Sequence, residues 1–391
     1  MRFVIIGGGI AGTTAAEEIR KQSVEAEIII VSEEQHPLYS KVLLSHLVLE
    51  KIPREKVFIK TADWYYKNNI EYQYGVLVTI IDTVNQFIET SEQREIPYDK
   101  LLITTGGDAK LLLEDMRGVS YFRNLDDADQ ILSMIAELKT LPLKDRKAVV
   151  LGGAFIALEY INLLHHHKIE QTVVMRADGF WSKIIGDHAK QLICKELENK
   201  GVRLITGVQV EELQGEFELS AVLLSNGETL PAKFLGVGIG LDIDYNLFKE
   251  AQLEVGAGLC ANEFLETNAK NVYTAGDVAE VKNIDLQKRL LVRNWQNAFL
   301  QGRLAGKNML GEHLAFSQVT SYSAQLLDLK VVFIGDTDRK DTEVIQYLAD
   351  VENSIEIFNR NGVTVGAVIV GGVSERQNIT TAINNKQNYV A

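Results

Sequence analysis

Cysteine is almost absent. Cys194 and Cys260 are the only two in 391 residues, and they stand sixty-six positions apart. No CxxC, CxxxxC or metal-ligand grouping can be built from them, which excludes a disulfide framework and a zinc knuckle. Two lone thiols fit a reducing cytosol, so a cytoplasmic location is expected. The five prolines are too few to mark domain boundaries. No run approaches the roughly 18 apolar residues of a membrane span. The opening Met1–Ile6 reaches glycine too soon for a signal-peptide apolar region. Positive charge is also short. Forty basic residues face 53 acidic ones, a net charge of −13, and binding to nucleic acid needs the opposite sign. A broad anionic membrane surface is not expected as a partner for the same reason.

What remains is an ordinary globular composition, 46% hydrophobic and 24% charged. At about 100–200 residues per domain the length predicts two or three domains. Phe3–Ile6 reads as a buried parallel strand, followed by the turn Gly7-Gly8-Gly9-Ile10-Ala11-Gly12, a helix from Thr13 to near Gln22 and a second strand over Ile28–Val31. The pattern recurs about 145 residues later. Ala148–Leu151 is a strand, Gly152-Gly153-Ala154-Phe155-Ile156-Ala157 a turn, then a helix to near His166 and a strand over Thr172–Met175. Two βαβ units in one chain are an internal duplication of nucleotide-binding halves.

In the first unit Gly7 permits the tight turn, Gly9 lets the backbone approach a pyrophosphate, and Gly12 lets helix pack on strand. Glu33, twenty-one residues past Gly12, ends the next strand with Glu34 beside it, where a carboxylate can accept bonds from ribose hydroxyls. The second unit departs from the pattern. Its fingerprint positions are Gly152, Ala154 and Ala157, and Ala154 sets a methyl where the pyrophosphate should approach. Met175 stands where an NAD site wants an acid, and Arg176 follows, which could take a 2′-phosphate. NADH and NADPH both stay open.

Further along, Tyr39-Ser40-Lys41-Val42-Leu43-Leu44-Ser45-His46, Leu102-Ile103-Thr104-Thr105-Gly106-Gly107 and Tyr273-Thr274-Ala275-Gly276-Asp277 follow in order. A helix from Trp295 to Met309, with Asn294 as N-cap, comes next. With the two glycine turns, these segments resemble the FAD-dependent pyridine nucleotide–disulfide oxidoreductases, closest to the rubredoxin/ferredoxin reductase and apoptosis-inducing-factor-like branch. The resemblance covers essentially the whole chain. It implies an α/β fold: an FAD domain over residues 1–112 and 240–310, an NAD(P) domain over 113–239, and a C-terminal α+β interface domain over 311–391.

The resemblance also implies site residues. Gly7, Gly9, Ala11, Gly12, Glu33, Glu34, Lys41, Thr105, Gly106, Gly276, Asp277 and Trp295 would hold FAD. Gly152, Ala154, Ala157, Met175 and Arg176 would hold NADH or NADPH. Lys41, His46 and Glu159 would be catalytic; His46 falls where many members carry a lysine that pairs with the glutamate matched by Glu159. Lys41 replaces the usual arginine and Val42 the proline. Disulfide reductases of the superfamily carry cysteine beside the flavin, and the segment from Gln35 to Lys60 has none. Electrons are therefore expected to pass directly from flavin to an acceptor, with a small acidic electron-carrier protein, rubredoxin or ferredoxin, as partner; direct reduction of a small molecule or of oxygen, and a redox-sensing flavoprotein with a weak nicotinamide site, stay open. Lys282, Lys288, Arg289 and Arg293 would offer it a basic landing patch. A homodimer stays open. His165-His166-His167 is not expected to bind metal, because consecutive helical residues point about 100° apart. Phe180 and Trp181 are expected in the core.

Overall fold

The computed structural model describes residues 1–112, 116–284, 286 and 288–389. Residues 113–115, where the expected NAD(P) domain begins, lie outside the described residues, as do the last two, 390–391. The chain forms two compact units.

The first unit comprises Met1–Leu43, Ile52–Asp108 and Asp242–Gln318. Its centre is a five-stranded sheet in the order Val272–Thr274, Lys100–Ile103, Arg2–Ile6, Glu27–Ser32, Ile70–Tyr74, and every neighbouring pair is parallel. Arg2–Ile6 lies mid-sheet with four consecutive buried residues, as a strand covered on both faces must. The helix Ile10–Gln22 begins three residues earlier than its sequence pattern suggests, with Gly9 as N-cap, so the glycine turn and the helix start coincide. It packs against the helix Trp295–Met309 through small residues: a Cβ on Gly302 would lie 2.2 Å from the Ala11 carbonyl oxygen. Two three-stranded sheets complete the unit. One runs Val78–Asp82, Phe87–Thr90, Glu95–Pro97; the other Leu259–Ala261, Ala279–Asn283, Lys288–Leu291.

The second unit comprises Leu44–Lys51, Ala109–Leu241 and Val319–Ala391. Its parallel sheet runs Arg203–Thr206, Glu170–Met175, Lys147–Leu151, Phe234–Val237, Val119–Tyr121. The helix Phe155–His166 follows the central strand, repeating the βαβ logic of the first unit. The same unit holds an antiparallel five-stranded sheet, Ser321–Leu326, Leu329–Gly335, Val363–Val370, Ser354–Arg360, Glu343–Ala349, and the helix Arg376–Asn384. Its three inner strands are the apolar runs visible in the sequence. The outer two, SYSAQL and EVIQYLA, hold only one fully buried residue between them, Leu326, as solvent-facing sheet edges do. Asn361 and Gly362 both take positive φ at the hairpin between inner strands, the geometry that an Asn-Gly turn favours. The fold is α/β, with two Rossmann-like parallel sheets and an added α+β module. Among the described residues no helix is long and apolar enough to cross a membrane.

Candidate functional site

The first glycine turn is built by exclusion. Gly7 has φ +103°, and a Cβ there would lie 2.4 Å from the Thr104 carbonyl oxygen. A Cβ on Gly12 would lie 2.1 Å from the Gly7 carbonyl oxygen. Both positions therefore demand glycine for packing. Gly9 differs: a Cβ there would meet nothing within 4 Å. Its backbone faces open space at the start of a helix that no side chain caps and whose first turn holds no acid. Unpaired N–H groups and the positive end of the helix dipole thus converge where a pyrophosphate would lie. An adenine dinucleotide such as FAD fits these residues.

Around that turn the sequence-expected residues divide by role. Ala11 is buried at the helix crossing. Glu33 is exposed at the end of its strand, and partial burial, with Asp108 and Glu34 nearby, raises its carboxyl pKa. Glu34 accepts from the Tyr39 hydroxyl at 2.5 Å and from Lys41 Nζ at 2.7 Å. The Lys41 charge is thus held in a half-buried ion pair. Thr105 is exposed, and Gly106, three residues past the end of the strand Lys100–Ile103, takes φ +69°. Gly276 also has positive φ, and its N–H donates to Gln301 Oε1 at 2.8 Å. Asp277 follows it, half-buried. Trp295 opens its helix as expected, with the Asn294 side chain capping the Asn297 N–H at 2.8 Å.

Two groups supporting this turn escape the sequence pattern. Thr104 Oγ1 donates to the carbonyls of Ile6 and Gly7 at 2.9 and 3.0 Å. Tyr65 OH lies 3.0 Å from Thr13 Oγ1 and accepts from Leu38 N–H, and burial pushes its phenol up to about 12. Thr104 sat in a segment already singled out, but nothing local marks Tyr65. The basic patch is less basic than its composition suggests. Arg289 pairs with Glu254 at 2.6 Å and Lys282 with Glu263 at 3.4 Å, while Arg293 Nε donates to the Asp277 carbonyl.

The second turn keeps the frame and alters the opening. Gly152 has φ +130°, with a Cβ there 2.2 Å from the Gly238 carbonyl oxygen. Ala157 is buried, and a Cβ on Gly238 would come within 3.0 Å of its N–H. Ala154 is the N-cap of the helix and supplies no capping side chain, so the helix N-terminus is again available to an anion beside an added methyl. Met175 is buried beneath the turn, its sulfur 3.1 Å from where a Gly153 Cβ would be. Arg176 is the exposed member of that pair. The nearby acid, Asp178, is held by Lys190 at 2.9 Å. Phe180 and Trp181 are buried, and Trp181 packs on Phe155 and Phe333.

Glu159 lies one turn into the helix Phe155–His166. Burial pushes its carboxyl up to about 7, although a hydrogen bond from the Ser45 hydroxyl works the other way. The exposed His46 ring lies 3.5 Å from Ser45 Oγ. No His46–Glu159 ion pair forms among the described residues. Imidazole is shorter than a lysine stem, and Ser45, adjacent on the same short helix, meets the carboxyl instead. In the histidine run, His165 and His166 are exposed and His167 is buried. His166 and His167 lie beside Glu50.

The family model described as Pyridine nucleotide-disulphide oxidoreductase matches residues 1–302. The chain is 26% identical over 393 residues to the nitrite reductase [NAD(P)H] of Bacillus subtilis (strain 168), covering 98% of this chain but 47% of that one. It therefore spans about half the length of that relative. It is 26% identical to the ferredoxin--NAD(+) reductase component of the biphenyl dioxygenase system of Paraburkholderia xenovorans (strain LB400), covering 86% of this chain and 81% of that one. The structure of a covalent putidaredoxin reductase–putidaredoxin complex superposes with a TM-score of 0.89 at 22% identity, covering 98% of this chain and 93% of its own, which shows the shared fold. Members of the family use FAD and NADH or NADPH. The chain belongs to the pyridine nucleotide–disulphide oxidoreductase family.

Proposed function

We propose that this protein is an FAD-dependent NAD(P)H oxidoreductase that passes electrons to a small acidic carrier protein of the rubredoxin or ferredoxin type. The observation that carries this reading is a dinucleotide turn with open space at Gly9, followed by a segment, Gln35–Lys60, without cysteine. Bound FAD supplies the chemistry of accepting hydride and releasing electrons singly. The chain's own residues bind and tune. The helix N-terminus at Gly9 holds phosphate charge, and Glu33 offers an acceptor for ribose. The capped N-terminus of Trp295–Met309 and the Lys41–Glu34 pair set the local field, where loss of one preorganised donor typically costs roughly 3 kcal/mol of barrier. In the second unit the N-terminus at Ala154 orients the reductant, and Arg176 is the cation available to a 2′-phosphate.

The ion pairs of Lys282 and Arg289 favour a second reading, direct reduction of a small molecule or of oxygen, because they weaken the charge that would attract an acidic carrier. Anaerobic rapid mixing separates the two. NADH or NADPH bleaches the flavin band in both. Reoxidation that is fast with rubredoxin or ferredoxin and slow with air supports the carrier reading; the reverse order overturns it.

A further inference from the structure

We propose that Glu50, His166 and His167 form a binding site for one borderline divalent cation of the Zn²⁺ or Co²⁺ class. Glu50 stands more than a hundred positions from the adjacent His166 and His167, yet the candidate ligand atoms of all three lie within 4.8 Å of one another. Along an unbroken helix, adjacent histidines would diverge. Here the helix ends at His166, and His167 leaves it as the C-cap with φ −86° and ψ 7°. The two rings approach with centroids 4.8 Å apart. Glu50 reaches them from just past the helix Leu44–Val48. Ligands about 2.0–2.2 Å from one cation lie at most about 4.4 Å apart, so small rotations close the set, and Glu50 and His166 are exposed and can make them.

A second observation concerns His167. Its Nε2 lies 3.3 Å from the Val48 carbonyl oxygen. A carbonyl only accepts, so Nε2 carries the hydrogen and Nδ1 keeps its lone pair. Ligating histidines are commonly held this way, with the second ring nitrogen donating to a backbone carbonyl. A donor set of two imidazoles and one carboxylate selects borderline transition cations over Mg²⁺ and Ca²⁺. One cation already stands close: Lys139 Nζ is 3.5 Å from Glu50 Oε2, in a pair exposed on both sides. Such pairs are weak, and a divalent ion displaces it. The site lies at the far end of the helix from the Gly152 turn, about 17 Å along its axis. Its effect is to fasten the C-terminus of that helix to the segment Leu44–Lys51, which also bears Ser45.

The test uses flavin-loaded full-length protein, freed of metal by chelator and titrated calorimetrically with Zn²⁺ and with Co²⁺. One ion per chain binds with micromolar affinity, and Mg²⁺ does not compete. Glu50→Gln and His166→Ala each weaken binding about tenfold or more, while Lys139→Gln tightens it and His165→Ala leaves it unchanged. Unaltered flavin content and thermal midpoint show that the variants fold. Absence of saturable binding at millimolar metal overturns the proposal. So does undiminished affinity in both His166→Ala and Glu50→Gln, or loss of binding in His165→Ala alone.

Discussion

The two glycine turns share a frame and differ at its centre. Gly7 and Gly152 both take positive φ and both nearly touch a carbonyl across the turn. Gly12 and Ala157 both lie at the helix–strand contact. At the middle position the first turn has Gly9, facing open space, and the second has Ala154, which brings a methyl to the same position of its own turn. A dinucleotide that stays bound for the life of the enzyme needs close backbone approach. One that arrives and leaves in each turnover does not. Under the proposed assignment of FAD to the first turn and the reductant to the second, the shared frame keeps the turn and the middle residue sets how closely each dinucleotide approaches.

The strongest break in this comparison is Gly12→Val. Its side chain would collide with the Gly7 carbonyl, which backbone packing cannot relieve. Flavin content after purification should fall to about a tenth or less of wild type, the fall expected from a loss of 1.4 kcal/mol or more; absorbance at the flavin band measures it. Gly9→Ala converts the first turn into a likeness of the second. Freed of FAD it should keep the wild-type thermal midpoint, and it should bind FAD about tenfold more weakly, read by fluorescence on reconstitution. Unchanged affinity would remove Gly9 from the account. Ala154→Gly makes the converse change and should tighten NADH or NADPH binding by about threefold, read from the concentration dependence of flavin bleaching.

The smallest effect concerns Glu159. Its carboxyl pKa in the folded chain, about 7, lies above the ordinary value of 4.5. The folded state therefore holds this proton over a window in which the unfolded state has released it. Stability falls as pH rises from about 4.5 to about 7 and is flat above. Glu159→Gln removes that slope, so its thermal midpoint relative to wild type should rise between pH 5 and pH 8 by on the order of 2 °C. A constant difference across that range would place the carboxyl in an ordinary, solvated environment.

Much of this was legible in the sequence because it rests on backbone requirements. Gly7, Gly9 and Gly12 report φ and space, and an apolar run as short as Phe3–Ile6 reports burial on both faces. The helix Trp295–Met309 was readable from its Asn294 cap. Side-chain partners were not. Lys41 reaches Glu34 through a chain reversal that no periodicity encodes, and Ser45 rather than His46 meets Glu159 because one residue of helical rotation decides which side chain arrives. The edge strands Ser321–Leu326 and Glu343–Ala349 were missed because neither forms an unbroken apolar run: Ser323 and Gln325 interrupt the first, Gln346 the second. Glu50 met the histidines only through the fold.

The central claim is that the flavin acts without a sulfur partner, since Cys194 and Cys260 are both free and neither lies in the segment beside the first turn. Anaerobic reductive titration of the purified flavoprotein tests this most directly. Complete bleaching after two electrons per FAD is the predicted result; a requirement for four electrons, or protein that takes up no FAD at all, would contradict it.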